Sequence, residues 1–227
     1  MALCVYAVVP RATRVKRSWR GLRAEPLRLI TSGPIAVLVG ATVKPPKPYR
    51  ANLERHDALM RQIASDVAAM LPARFALIVQ DVHRLRALVE MSAGAFHDAL
   101  RLVAGCEQMT LRVRAPYERP AAQGASRRRP AASRRSGTDY LLARAREFGI
   151  PQDADVKDLL RRLSSMVHAE RIGRAHPGDA STIYHLIDRG RSSDYLAIVR
   201  EFTADHPSNR VSASGPFPPY AFGPSIF

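Results

Sequence analysis

The stretch Ser214-Gly215-Pro216-Phe217-Pro218-Pro219-Tyr220-Ala221-Phe222 restricts the fold of this chain more than any other. Its three prolines fix their own φ, remove three backbone donors and push the residues before them into extended geometry. Such a segment cannot be helical, and it cannot be a central strand. It also carries Phe217, Tyr220 and Phe222, whereas disordered tails are poor in aromatics. The expectation is a rigid, extended tail whose rings pack onto the protein. No group in it is suited to catalysis.

A chain of 227 residues with 46% hydrophobic content can bury a core of one or two domains without covalent staples. Cys4 and Cys106 lack the spacing of a disulfide framework or a metal site, and read as small buried apolar residues. No apolar run approaches the roughly 20 residues that span a bilayer. The apolar segment Ala2 to Val9 precedes the first positive charges, the reverse of a signal peptide, so the cytoplasm is the expected compartment. The net charge of +15 invites a nucleic-acid reading. Two stretches free of acidic residues, Arg11 to Arg23 and Arg119 to Arg135, hold twelve of the 35 basic side chains. Only Trp19 accompanies the first as an aromatic, and none accompanies the second. Nucleic-acid surfaces interleave charge with stacking rings, so solvated loops are the preferred reading.

Short β-branched runs predict strands at Leu3–Val9, Leu27–Ile30 and Ile35–Val39, the last two joined by turn chemistry at Thr31-Ser32-Gly33-Pro34. Lys44-Pro45-Pro46-Lys47-Pro48 is a stiff connection. Leu53, His56, Met60, Ile63, Val67 and Met70 predict an amphipathic helix that stops before Pro72. A strand over Ala73–Val79 follows. Asp81 caps a helix carrying Leu85 through Val103, stopped by Gly105. Met109–Val113 alternates as a strand. Residues 116–136 are a linker of Pro, Ala, Ser and Arg between a domain over 1–115 and a second over 137–227. The second domain opens with a helix at Gly137-Thr138-Asp139-Tyr140. It continues with an amphipathic segment from Val156 to Val167, a strand Ser181–Asp188, a helix from Ser193 and a strand Arg210–Ser214 that runs into the tail. Mixed strands and helices without regular alternation indicate α+β architecture, with helices on one face of largely antiparallel sheets.

Catalytic patterns are absent from the sequence. Glycines occur singly, so there is no phosphate loop, and neither a nucleophile elbow nor a zinc-binding His or Cys spacing is present. His56 and His185 read as satisfied, partly buried histidines. Asp153, Asp155 and Asp158 read as helix-start acids. Arg74 stands out as a charge in an apolar strand, either a snorkelling or salt-bridged arginine or, with Phe75, an interface anchor. No cofactor, metal or small-molecule substrate is implied.

Taken together these segments resemble the gas vesicle protein F/L family. The family closes on Thr/Ser-Gly-Pro-Trp/Phe-Pro-Pro-Tyr-Ser/Ala-Phe, and Ser214 to Phe222 keep that order, with Gly215, Pro216, Phe217, Pro218, Pro219, Tyr220 and Phe222 in place. Leu71-Pro72-Ala73-Arg74-Phe75, Cys106 to Val113, and Gly137-Thr138-Asp139-Tyr140-Leu141 are similar to three further family segments. Tyr6, Gly33 and Ile35 to Val39 also fit. One departure is Ala76, where the family usually has glycine.

The resemblance implies a non-enzymatic, two-domain α+β protein whose second domain is ferredoxin-like. It implies an accessory or minor component of gas vesicle assembly in the cytoplasm, binding the small apolar shell protein and other accessory proteins. The competing reading is a basic nucleic-acid-associated module built on the two arginine-rich stretches. The tail is then expected to be the closing strand and lid of the second domain, its rings serving packing first.

Overall fold

Leu3 to Val9 are buried at every position. Side chains alternate between faces along a strand, so such a run must be covered on both sides. In the computed structural model, which describes residues 2–114, 154–173, 181–207 and 210–224, this run is β1 (Ala2–Pro10), in the interior of a five-stranded antiparallel sheet. β2 (Leu27–Ser32) and β3 (Ile35–Thr42) form the expected hairpin, Ser32 opposite Ile35. β3 pairs with β1 from Ala2 opposite Thr42 to Pro10 opposite Ile35, with an irregularity at Tyr6. The other edge of β1 carries two short strands, β4 (Leu71–Pro72) and β5 (Ile78–Val79).

The single strand expected over Ala73–Val79 is therefore a turn between two brief pairings. Leu77 N–H donates to the Arg74 carbonyl at 3.2 Å, and Ala76 sits at φ 61°, a conformation incompatible with a continuous strand.

The helix α1 (Arg50–Asp66) lays His56, Leu59, Met60 and Ile63 onto the Tyr6 face of the sheet, while Leu53 at its start is 44% exposed. It ends before the predicted Val67 and Met70, because Val67 turns extended (φ −121°, ψ 152°); both residues are still buried in the same core. α2 (Val82–Glu90) begins where expected, the Asp81 carboxylate accepting from Arg84 N–H at 2.8 Å. The long helix expected from there breaks at Met91-Ser92, and α3 (Ala93–Leu102) follows. α2 packs on β2, and α3 on β1 and β3, adding to the cover of the sheet. Gly105 at φ 72° ends the helical run in the left-handed region open to glycine.

The second sheet has the order β7-β8-β6-β9, from β6 (Cys106–Arg114), β7 (Val167–Ile172), β8 (Ser181–Asp188) and β9 (Arg210–Phe217). Between β6 and β7 lies α4 (Ala154–Leu163), and between β8 and β9 lies α5 (Ser192–Asp205). Among the described residues, the succession βαββαβ with this strand order is the ferredoxin-like arrangement. α4 and α5 pack against each other, and Val156, Leu159, Leu163, Tyr195, Val199 and Phe202 are their buried residues. The amphipathic segment expected through Val167 ends at Leu163, and β7 takes over. β9 is an edge strand, which lets Pro216 stand in it without a missing ladder bond.

The chain divides into two compact units: 1–108 with 186–190 and 215–227, and 109–185 with 191–214. The tail from Gly215 thus groups with the N-terminal unit rather than with the second domain where the sequence reading put it. The physical reason is local bonding: Gln108 Oε1 accepts from Ala221 N–H at 2.8 Å, and Arg61 Nη1 donates to the Pro216 carbonyl at 3.0 Å. The expected linker 116–136 and the motif residues Gly137, Thr138 and Tyr140 lie outside the described residues.

Candidate interaction surface

Both candidate regions meet on α1. The Ala73–Leu77 turn is pinned to β1 at its two ends, Ala73 N–H donating to the Tyr6 carbonyl and Val5 N–H to the Leu77 carbonyl, each at 2.8 Å. Arg74 projects from this turn and is exposed. Phe75 is half-buried, its ring edge-on to His56 at 5.5 Å and 80°. His56 in turn stacks on Tyr6 at 6.4 Å and 26°. Phe75 is therefore partly a core residue, and Arg74 is the more accessible of the pair.

His56 is not the satisfied histidine expected. Its Nε2 is buried with no hydrogen-bond partner among the described residues. Burial pushes its pKa below the ordinary value, against a smaller opposing effect of Asp57.

One turn further along α1, Arg61 holds the tail. Its guanidinium lies 5.3 Å from the Phe217 ring centroid, a cation–π distance, while its Nε donates to Asp57 at 2.7 Å. Pro218, Pro219 and Phe222 are buried, Phe217 is half-buried and Tyr220 is 37% exposed. The tail thus divides its rings, Phe222 to the core and Tyr220 to the surface. Arg61 escaped the sequence reading, although its i, i+4 spacing from Asp57 was a usable sign of a supported charge.

The N-terminal basic loop is ordered around a buried aromatic. Trp19 is 1% exposed, and its Nε1–H donates to Asp66 Oδ2 at 2.8 Å while Lys16 pairs with Oδ1 at 2.5 Å. These two bonds hold the Asp66 carboxyl below its ordinary pKa, the lysine having the larger effect. Tyr6 hydroxyl donates to Glu25 Oε1 at 2.5 Å and accepts from Leu22 N–H at 2.9 Å. Glu25 leaves no room beside Gly21 and Gly40: a Cβ on Gly21 would lie 1.9 Å from Oε1, and one on Gly40 2.6 Å. Close by, burial pushes the Cys4 thiol up to about 11.

In the second unit His185 is buried between two partners. Glu170 can only accept, so Nε2–H donates to it at 3.0 Å, and Nδ1 accepts from the Tyr195 hydroxyl at 2.7 Å. Here the satisfied histidine expected from sequence is found. Asp155 lies in the first turn of α4, as expected of a helix-start acid. Asp158 instead sits in mid-helix and pairs with Arg161 and Arg162, and Asp153 lies outside the described residues. Both histidines are buried; both ring nitrogens of His185 are hydrogen-bonded, and His56 Nε2 is enclosed.

Among the described residues no helix is long and apolar enough to cross a membrane. The structure resembles crystal structures of the gas vesicle protein GvpF from Microcystis aeruginosa and from Anabaena sp. PCC7120. Each superposes with a TM-score of 0.70, at 13% and 15% sequence identity, over 97% and 98% of this chain and 98% and 96% of theirs. At such identity the likeness establishes the fold. In sequence, gas vesicle protein L of Streptomyces sp. (strain CB03234) is 31% identical over 96% of this chain and 91% of its own length. Gas vesicle protein F of the same strain is 25% identical over 87% and 88%. The family described as gas vesicle synthesis protein GvpL/GvpF matches residues 2–224, from the first strand through the aromatic tail, and the chain belongs to that family.

Proposed function

We propose that this protein is an accessory or minor structural component of gas vesicle assembly, associated with vesicles inside the cell. It binds the small apolar shell protein and other accessory proteins, and carries out no chemical step. The family match across residues 2–224 carries this reading. The exposed Arg74 beside a half-buried Phe75, and Tyr220 at the surface of an anchored tail, support it as contact points on a rigid base. Co-expression with a gas vesicle shell protein tests it: the two co-purify at low and at moderate salt, and Arg74→Glu with Tyr220→Ala weakens the complex in a variant that still melts cooperatively. Failure of the shell protein and of every accessory protein to co-purify would overturn the proposal. The nucleic-acid reading has less support, since the one aromatic near the first arginine-rich stretch has its ring in the core.

A further inference from the structure

Beside the hairpin of the first sheet lies an open groove of roughly 430 Å³, lined by Val15, Trp19, Pro26 and Leu27 and edged by Lys16, Arg17 and Arg20. Three observations give it a chemistry. Its lining is apolar, with room for side chains rather than for one or two waters. Its rim is positive: Arg17 and Arg20 are exposed and make no ion pair among the described residues. The acids nearby are already engaged, Asp66 with Lys16 and Trp19, and Glu25 with Tyr6 and the Arg23 N–H. Third, the loop is built in advance. Arg20 bridges Pro26, Gly21 N–H donates to the Glu25 carbonyl at 2.9 Å, and Ala24 N–H donates to the Gly21 carbonyl at 2.9 Å. A preformed groove loses little conformational entropy on binding.

We propose that this groove docks an acidic amphipathic polypeptide segment of a partner, its apolar side chains lying on the half-buried Val15 and the exposed Pro26 and its carboxylates on the guanidinium groups of Arg17 and Arg20. Charge complementarity selects the acid, and the aliphatic lining selects a peptide over a nucleic acid. A base needs a ring face to stack on, and Trp19, 1% exposed, offers none. The inference stands apart from the gas vesicle reading, because any acidic amphipathic segment satisfies the groove.

The test uses the full chain and a fluorescently labelled synthetic peptide alternating paired glutamates with leucines, followed by anisotropy. Trp19 is the chain's one tryptophan, so its emission reports on the groove. Expected are saturable binding, a shift of Trp19 emission, weaker binding of polyglutamate, and a loss of about tenfold in affinity for the double variant R17E/R20E. The variant should melt with the wild type, since both side chains are at the surface. Equal binding of polyglutamate, binding of a DNA oligonucleotide as tight as that of the peptide, or an unaffected double variant would overturn the proposal.

Discussion

Ala76 occupies the left-handed region, at φ 61°, where an L-residue with a Cβ is strained by about 1–2 kcal/mol. Glycine relieves that strain but loses roughly 0.4–1 kcal/mol through a freer unfolded chain. Ala76→Gly is therefore expected to stabilise the protein by about 0.5–1 kcal/mol in a denaturant titration; a loss of stability would refute the strained turn. The resemblance to a family with glycine there marked the position. The sequence did not reveal that this residue makes the turn splitting β4 from β5, since Ala73 to Val79 has the apolar content of one strand. His56 supplies a second residue-scale prediction. Its folded pKa is lowered, so the unfolded chain binds the proton more readily, and the stability tied to neutral His56 is lost as pH falls below about 6.5. His185, also lowered by burial against the pull of Glu170, acts with the same sign. The melting temperature should fall between about pH 7.5 and about pH 5.5, and His56→Leu should reduce that fall. An unchanged pH profile in the variant would show that His56 does not titrate in the folding equilibrium. At Gly21 a Cβ would meet the Glu25 carboxylate at 1.9 Å and the Tyr6 hydroxyl at 2.6 Å. Gly21→Ala should cost about 1–3 kcal/mol, as overpacking does, read as a lowered denaturation midpoint.

At the scale of elements, the tail combines local rules with distant partners. Proline and aromatic chemistry made an extended, packed segment legible, and edge strand β9 running into it agrees. Its anchors, Arg61 and Gln108, are far away in sequence, and no local pattern points to them. Phe222 is fully buried, so Phe222→Ala should cost about 3–5 kcal/mol. Phe217 is half-buried under Arg61, and Phe217→Ala should cost only about 1–2 kcal/mol. Thermal melts of the two variants check the order; a larger loss at Phe217 would contradict it. Strand β7 was not anticipated because Val167 to Ile172 buries almost nothing, as befits the edge of its sheet, and so lacks an apolar pattern. The break between α2 and α3 was hidden by apolar spacing that continues across Met91 and Ser92, although Met91 is 85% exposed.

For the whole molecule, the α+β class and the antiparallel sheets followed from the alternation of short β-branched runs with amphipathic ones. Which residues form a surface did not, because exposure depends on how distant segments cover one another. Trp19 shows this: set among arginines it has the local look of a surface ring, yet it bonds to Asp66 and lies in the core. The six basic side chains between Arg11 and Arg23 are consequently carried on an ordered scaffold. The central claim is participation in gas vesicle assembly, and complementation tests it most directly. A strain lacking its own L-type gas vesicle protein receives this chain, and vesicles are counted by electron microscopy. The account predicts that vesicles reappear, and that a chain truncated before Gly215 restores none. Absence of vesicles with the full, stably expressed chain would contradict it.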